Sequence, residues 1–145
     1  MYKKILVPLD HSPADKTILA HIRGLAKLTS ASLVLVHVAD GYAARLQEQL
    51  NLQDSEEIQS DRRYIENQKS KLIKEGFEVV AYLASGEPAH RILSIAEQEK
   101  CDLIAMSTHG HRFLKDLIFG SVAETLRHRT NIPILMIRAG KEHKE

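Results

Sequence analysis

The stretch from Ser107 to Ser121 holds the residue types best suited to chemistry in this chain. Gly110 and Gly120 remove side chains where backbone must approach another group closely or adopt positive φ. Gly120-Ser121-Val122-Ala123-Glu124 reads as a helix start, and free amides at a helix start favour an anion. A phosphate chain between Gly110 and Ser121 would be held by amides and hydroxyls rather than by a lysine. The same residues admit a ligand-free reading. Ser121-x-x-Glu124 is also a capping box, and Gly110 can mark a simple strand-to-loop turn. Spacing alone leaves both open.

Other candidates are weaker. Asp10, after Pro8-Leu9, is the one carboxylate placed where it could activate a water. His109-x-His111 with His11 offers imidazoles for a transition metal, but no further ligand has suitable spacing. Those histidines read better as polar loop residues near a phosphate. His37, inside an apolar run, reads as a hydrogen-bonded core histidine. Arg112 and Lys115 read as exposed helix charges before they read as phosphate ligands. The chain has no GxSxG, GxxxxGK[ST] or GxGxxG, so nothing points to a Ser hydrolase, a Walker-type hydrolase or a dinucleotide enzyme. At most, slow ATP hydrolysis is conceivable.

The elements that must position these residues follow from hydrophobic patterning. Apolar runs at 3–10, 32–39, 77–83, 102–106 and 132–137 read as five buried strands. Ser12 and Pro13 open a first helix, with Asp15 at its positive end and Ile18, Leu19, Ile22, Leu25 and Ala26 along one stripe. A long polar helix spans about 43–75, with a narrow stripe of Ile58, Ile65 and Leu72 and with Gly76 to end it. Pro88 opens a third helix carrying Ala89, Ile92, Leu93 and Ala96 on one side, and a last helix ends near His128. Pro133 suits an edge strand. Strands alternating with helices predict a single-domain, three-layer α/β sandwich with a mostly parallel sheet. In an open parallel sheet, loops leaving the carboxyl ends of the strands converge where the strand order reverses.

Composition sets the bounds. Among 145 residues, 43% are hydrophobic, enough for a substantial core, so a disordered chain is excluded. Twenty basic against 19 acidic residues leave +1, which gives neither nucleic acid nor an anionic membrane a bulk electrostatic attraction. The single cysteine, Cys101, cannot form an intrachain disulfide and is expected to be a small, partly buried residue without redox duty. No apolar run has the length of a signal core or a membrane helix, so the expected location is cytoplasmic. Residues 1–140 are expected to form one domain and 141–145 a charged tail.

The pattern SxxGx9GS at 107–121 resembles the GxxGx9G-Ser/Thr nucleotide signature of the universal stress protein family, with Ser107 in place of the first glycine. YKKILVPLD, LVLVHV, GEPAHRILSIAEQEKCDLIAMSTHG and GSVAETLRHRTNIPILMIR resemble the family's blocks in order along nearly the whole chain. The resemblance implies an adenine nucleotide alpha hydrolase-like fold, a single doubly wound domain of five parallel strands in the order 3-2-1-4-5 with its crevice between strands 1 and 4, and a site for ATP or AMP. By position, Pro8, Leu9 and Asp10 would line the adenosine side, and the main chain of Val38 would contact adenine. Met106 and Ser107 would lie beside the ribose. Gly110, Gly120, Ser121 and Val122 would surround the phosphates, with His109 close by. Mg²⁺ would bridge phosphate oxygens without a protein side chain as ligand. The family also implies a homodimer through the edge strand 132–138 and a stress-signalling role with a protein partner. The alternatives are a docking dimer with a vestigial pocket, or a weak ATP hydrolase.

Overall fold

The computed structural model describes residues 1–39, 56–109 and 114–139, with backbone alone at 109 and 114–120. Among the described residues five strands and four helices alternate. They are β1 (Lys4–Pro8), α1 (Ala14–Thr29), β2 (Ser32–Ala39), α2 (Glu56–Lys74), β3 (Val79–Ser85), α3 (Pro88–Gln98), β4 (Leu103–His109), α4 (Leu114–Arg129) and β5 (Ile134–Ala139). All strand pairs are parallel, and the order is β3-β2-β1-β4-β5, as the resemblance implies.

Alternation along each strand divides the core in two. Ile5 and Val7 of β1, Leu33 and Leu35 of β2, and Leu103 and Ala105 of β4 face Ile18, Leu19 and Ile22 of α1 with Ile65 and Leu72 of α2. The intervening residues Leu6, Val34, Val36, Ile104 and Met106 face Ala89, Ile92 and Ile95 of α3 with Val122, Ala123 and Leu126 of α4. Strands buried on both faces read as continuous apolar runs, which is why these were legible. Fully burying an aliphatic side chain of this size is worth about 1.5–3 kcal/mol, so each layer outweighs any single polar contact.

The helix ends follow local chemistry. Glu87, at the N-cap of α3, accepts from the amides of Ala89 (3.1 Å) and His90 (2.8 Å), and Pro88 begins the helix. Gly76 takes φ +101 just beyond α2, a conformation open to glycine and strained for other residues. On α2, Ile65 and Leu72 are buried as expected, whereas Ile58 is half-buried. The expected start of this helix, at 43–55, lies outside the described residues, as do Gly110, His111, Arg112 and the tail 141–145.

Two expectations are corrected. Strand 4 runs past Met106 to His109, because pairing with β5 continues through Ser107↔Ile137 to His109↔Ala139. The last helix begins at Leu114, not at Gly120. Leu114, Leu117, Ile118, Val122 and Leu126 keep helical spacing straight through Gly120, so the apolar pattern outweighs the roughly 1 kcal/mol cost of an interior glycine. Ser121 therefore lies within α4 and is exposed. Its carbonyl accepts from Thr125 Oγ1 at 3.0 Å, and Glu124 pairs with Arg127 at 3.1 Å rather than closing a capping box at a helix start. Among the described residues, no helix is long and apolar enough to cross a membrane.

Candidate functional site at the parting of β1 and β4

Strands β1 and β4 pair only at Ile5↔Leu103 and Leu6↔Ile104. Beyond these, β1 stays with β2 as far as Pro8↔Val36, and β4 stays with β5 as far as His109. The two central strands therefore part toward their carboxyl ends, as expected where the strand order reverses. Pro8, Leu9 and Asp10 end the first of these strands and Met106 and Ser107 lie near the end of the other; the side chains of Leu9 and Met106 are fully buried in the core on opposite faces of the sheet. Val38, on β2, is half-buried beside Ala84 of β3.

Two polar atoms stand out at these strand ends. Asp10 is 8% exposed, and among the described residues its Oδ2 has no hydrogen-bond partner. Ser107 is 1% exposed, and among the same residues its Oγ also lacks a partner. An unsatisfied buried polar atom costs about 1–3 kcal/mol, and a pair of them at a strand-end opening suits a ligand with donors of its own. Ser107 is an ordinary strand residue and not among those with positive φ, so its backbone does not call for glycine.

Asp10 is not the lone carboxylate at this end of the sheet, as the sequence had suggested. Asp15, expected as a helix-dipole residue, is 2% exposed; its Oδ1 accepts from the Asp10 amide at 3.1 Å and its Oδ2 from the His11 amide at 2.9 Å. Tyr64 of α2 donates its hydroxyl to the same Oδ2 at 2.5 Å. Burial first, and then the charge of Asp10, pushes Asp15 from 3.8 up to about 7. Burial likewise pushes the Tyr64 phenol up, with the charge of Asp15 adding to it. The Asp10 Oδ1 accepts from Ser12 Oγ, which in turn accepts from the Ala14 amide at 3.3 Å; the expected Ser12 cap is thus a longer contact of a hydroxyl committed to Asp10.

Of the histidines considered as metal ligands, His111 and the side chain of His109 lie outside the described residues. His37 is a core residue bonded to the Leu9 carbonyl at 2.8 Å, as read from the sequence. His11, at φ 61, turns its Nδ1 to Asp61 (2.8 Å) and stacks on Tyr64 at 4.0 Å between centroids. Among the described residues, no group of three or more His, Cys, Asp or Glu could hold a metal ion. Cys101 is buried, and burial pushes its thiol up to about 11, which keeps it protonated and inert. Asp15, Asp61 and Tyr64 are the residues the sequence reading missed. The available signal was Asp61 and Tyr64 falling four and one positions before Ile65, on the apolar side of α2.

The helix tip expected for phosphate is absent from Gly120-Ser121, and Gly110 lies outside the described residues.

A parallel sheet in the order β3-β2-β1-β4-β5, with its central strands parting at the switch point, defines the class of doubly wound α/β domains. Within that class the chain belongs to the universal stress protein family, whose model matches residues 1–138. It is 30% identical to universal stress protein MJ0577 of Methanocaldococcus jannaschii, over 95% of this chain and 96% of that one. It is 28% identical to universal stress protein YxiE of Bacillus subtilis, over 95% of this chain and all of that one. The solved structure of MJ0577 superposes with a TM-score of 0.81 at 32% identity, covering 98% of this chain and 99% of that chain. A universal stress protein from Archaeoglobus fulgidus, solved in complex with dAMP, shares the fold at a TM-score of 0.68 and 22% identity, covering 94% of this chain and 98% of that one.

Proposed function

We propose that this protein binds an adenine nucleotide, ATP or AMP, between β1 and β4 and acts as a cytoplasmic, ligand-sensing module of the stress response. The observation that carries the reading is the pair of buried, unpartnered atoms, Asp10 Oδ2 and Ser107 Oγ, at the ends of the parting strands. Support comes from relatives of the same fold solved with dAMP and with cAMP, both adenine nucleotides. In this reading Pro8, Leu9 and Asp10 line the adenosine side, Val38 meets the base through its main chain, and Met106 and Ser107 flank the ribose. His109, Gly110, Gly120, Ser121 and Val122 lie toward the phosphates, and Mg²⁺ bridges the phosphate oxygens. The bound nucleotide sets the surface a protein partner meets, and a homodimer forms through 132–138. Met136 supports that dimer, being 51% exposed on an edge strand.

A second reading has a specific observation behind it. Because Ser121 sits inside α4, its amide belongs to a helix already begun at Leu114, which favours a docking dimer with a vestigial phosphate site. Thermal unfolding with ATP, ADP, AMP and adenosine separates the two. Ligand at a hundred times its dissociation constant adds about 2.7 kcal/mol of stability. The binding reading expects such a shift, reduced by Asp10→Ala and by Ser107→Ala. Unchanged melting with all four compounds would overturn the binding reading and favour the docking dimer.

A further inference from the structure

Helix α2 grips the corner between β1 and α1 with two handles. Tyr64 holds Asp15, which in turn holds the amides of Asp10 and His11. Asp61, 8% exposed, lies between two imidazoles: its Oδ1 is 2.8 Å from His11 Nδ1, and its Oδ2 is 3.3 Å from His37 Nε2. Only the second of these contacts constrains protons.

His37 Nδ1 lies 2.8 Å from the carbonyl oxygen of Leu9. A carbonyl only accepts, so Nδ1 carries a hydrogen. A neutral His37 would then turn the lone pair of Nε2 toward a carboxylate oxygen, in a site where both residues are 8% exposed. Two lone pairs at that separation repel. The contact is favourable when a hydrogen lies between Nε2 and the carboxylate. His11 needs no such addition, since a neutral ring can donate from Nδ1.

We propose that His37 and Asp61 are positioning residues for Asp10: the proton between them fastens α2 to Leu9–His11, and its loss releases that corner and weakens nucleoside binding. The last clause rests on the proposed nucleotide site. His11 meets both members of this pair; Tyr64 of α2 stacks on His11 and bonds Asp15, whose titration also feels the charge of Asp10. Asp15 titrates in its own right, so the test must remove one group and leave the other. Asp61→Asn does so. Its amide can donate to neutral His37 Nε2 while its oxygen accepts from His11, which keeps both contacts without the extra proton.

The experiment is an NMR titration of the full chain from about pH 5.5 to 8.5, following the His37 ring nitrogens and the amides of Leu9, Asp10 and His11, alongside adenosine affinity. Adenosine is the probe because it carries no group that titrates in this range. In the wild type the three amides should move with the His37 midpoint, and adenosine affinity should fall about 5- to 10-fold as pH rises through it, the scale of a modest coupling. In Asp61→Asn the amides should ignore that midpoint and the affinity should stay near its low-pH value. A His37 ring that is neutral throughout, in a native spectrum, overturns the inference. So does adenosine affinity that follows the same profile in both proteins. Should adenosine bind neither protein, the nucleotide reading fails, and the amides alone decide whether the proton fastens the corner.

Discussion

Tyr64→Phe deletes one oxygen and tests how the β1–α1 corner is held. The hydroxyl donates to Asp15 Oδ2 at 2.5 Å, onto a carboxylate that is 2% exposed. A hydrogen bond to a charged group is worth about 1.5–3 kcal/mol, and the low end applies because the His11 amide still donates to the same oxygen. The expected loss is about 1.5–2 kcal/mol above neutrality, or roughly 4–8 °C in Tm for a domain of this size. The loss depends on pH with a definite sign. Asp15 is raised from 3.8 to about 7, so between those values the folded protein keeps a proton that the unfolded chain has released. The associated stability is complete below 3.8 and is lost as pH rises through about 7. Tyr64 is one of the contacts that hold this pKa down, so its removal extends and deepens the loss on the alkaline side. When Asp15 is protonated the bond is one between neutral groups, worth about 0.5–1.5 kcal/mol, so the variant should lie nearer the wild type at about pH 5.5 than at about pH 8.5. Urea unfolding of both proteins at the two pH values measures this. Equal destabilisation at both, or a larger one in acid, would refute an ionised Asp15 as the acceptor.

Three further outcomes are expected. Gly76→Ala should cost about 1–3 kcal/mol in urea unfolding, purely as backbone strain, because φ is +101 and nothing lies within 4 Å of the added carbon. Cys101 should resist a thiol reagent in the native protein at about pH 8 and react fully in denaturant, since burial raises its thiol to about 11; prompt native reaction would contradict its placement. Met136→Lys should convert the proposed dimer to monomer in sedimentation at about tens of micromolar protein, and a wild type already monomeric there would remove the edge-strand interface.

The order of elements could be read from the chain because burial on both faces of a parallel sheet leaves uninterrupted apolar runs such as Ile5–Val7, Leu33–Val36 and Leu103–Met106. Pro88, Gly76 and the core placing of His37 were equally plain, each being a local matter of φ or of a polar group set in an apolar run. The start of α4 was not. A glycine followed by Ser-x-x-Glu imitates a helix start, and only the continued spacing from Leu114 overrides it. Of the candidate site, the strand ends at Pro8–Asp10 and Met106–Ser107 followed once the strand order was inferred, because the switch point fixes which loops meet.

What the sequence by itself determined is the alternation of strands and helices, since hydrophobic periodicity acts locally; the sheet order came with the resemblance of its ordered blocks to a known family. Tertiary structure alone decided the polar corner beneath Asp10. Asp15, His37 and Asp61 are far apart along the chain and of types that ordinarily face water, so no window of sequence shows that they share one buried polar cluster. Their chemistry arises from burial, which turns ordinary side chains into partners that must satisfy one another because water cannot.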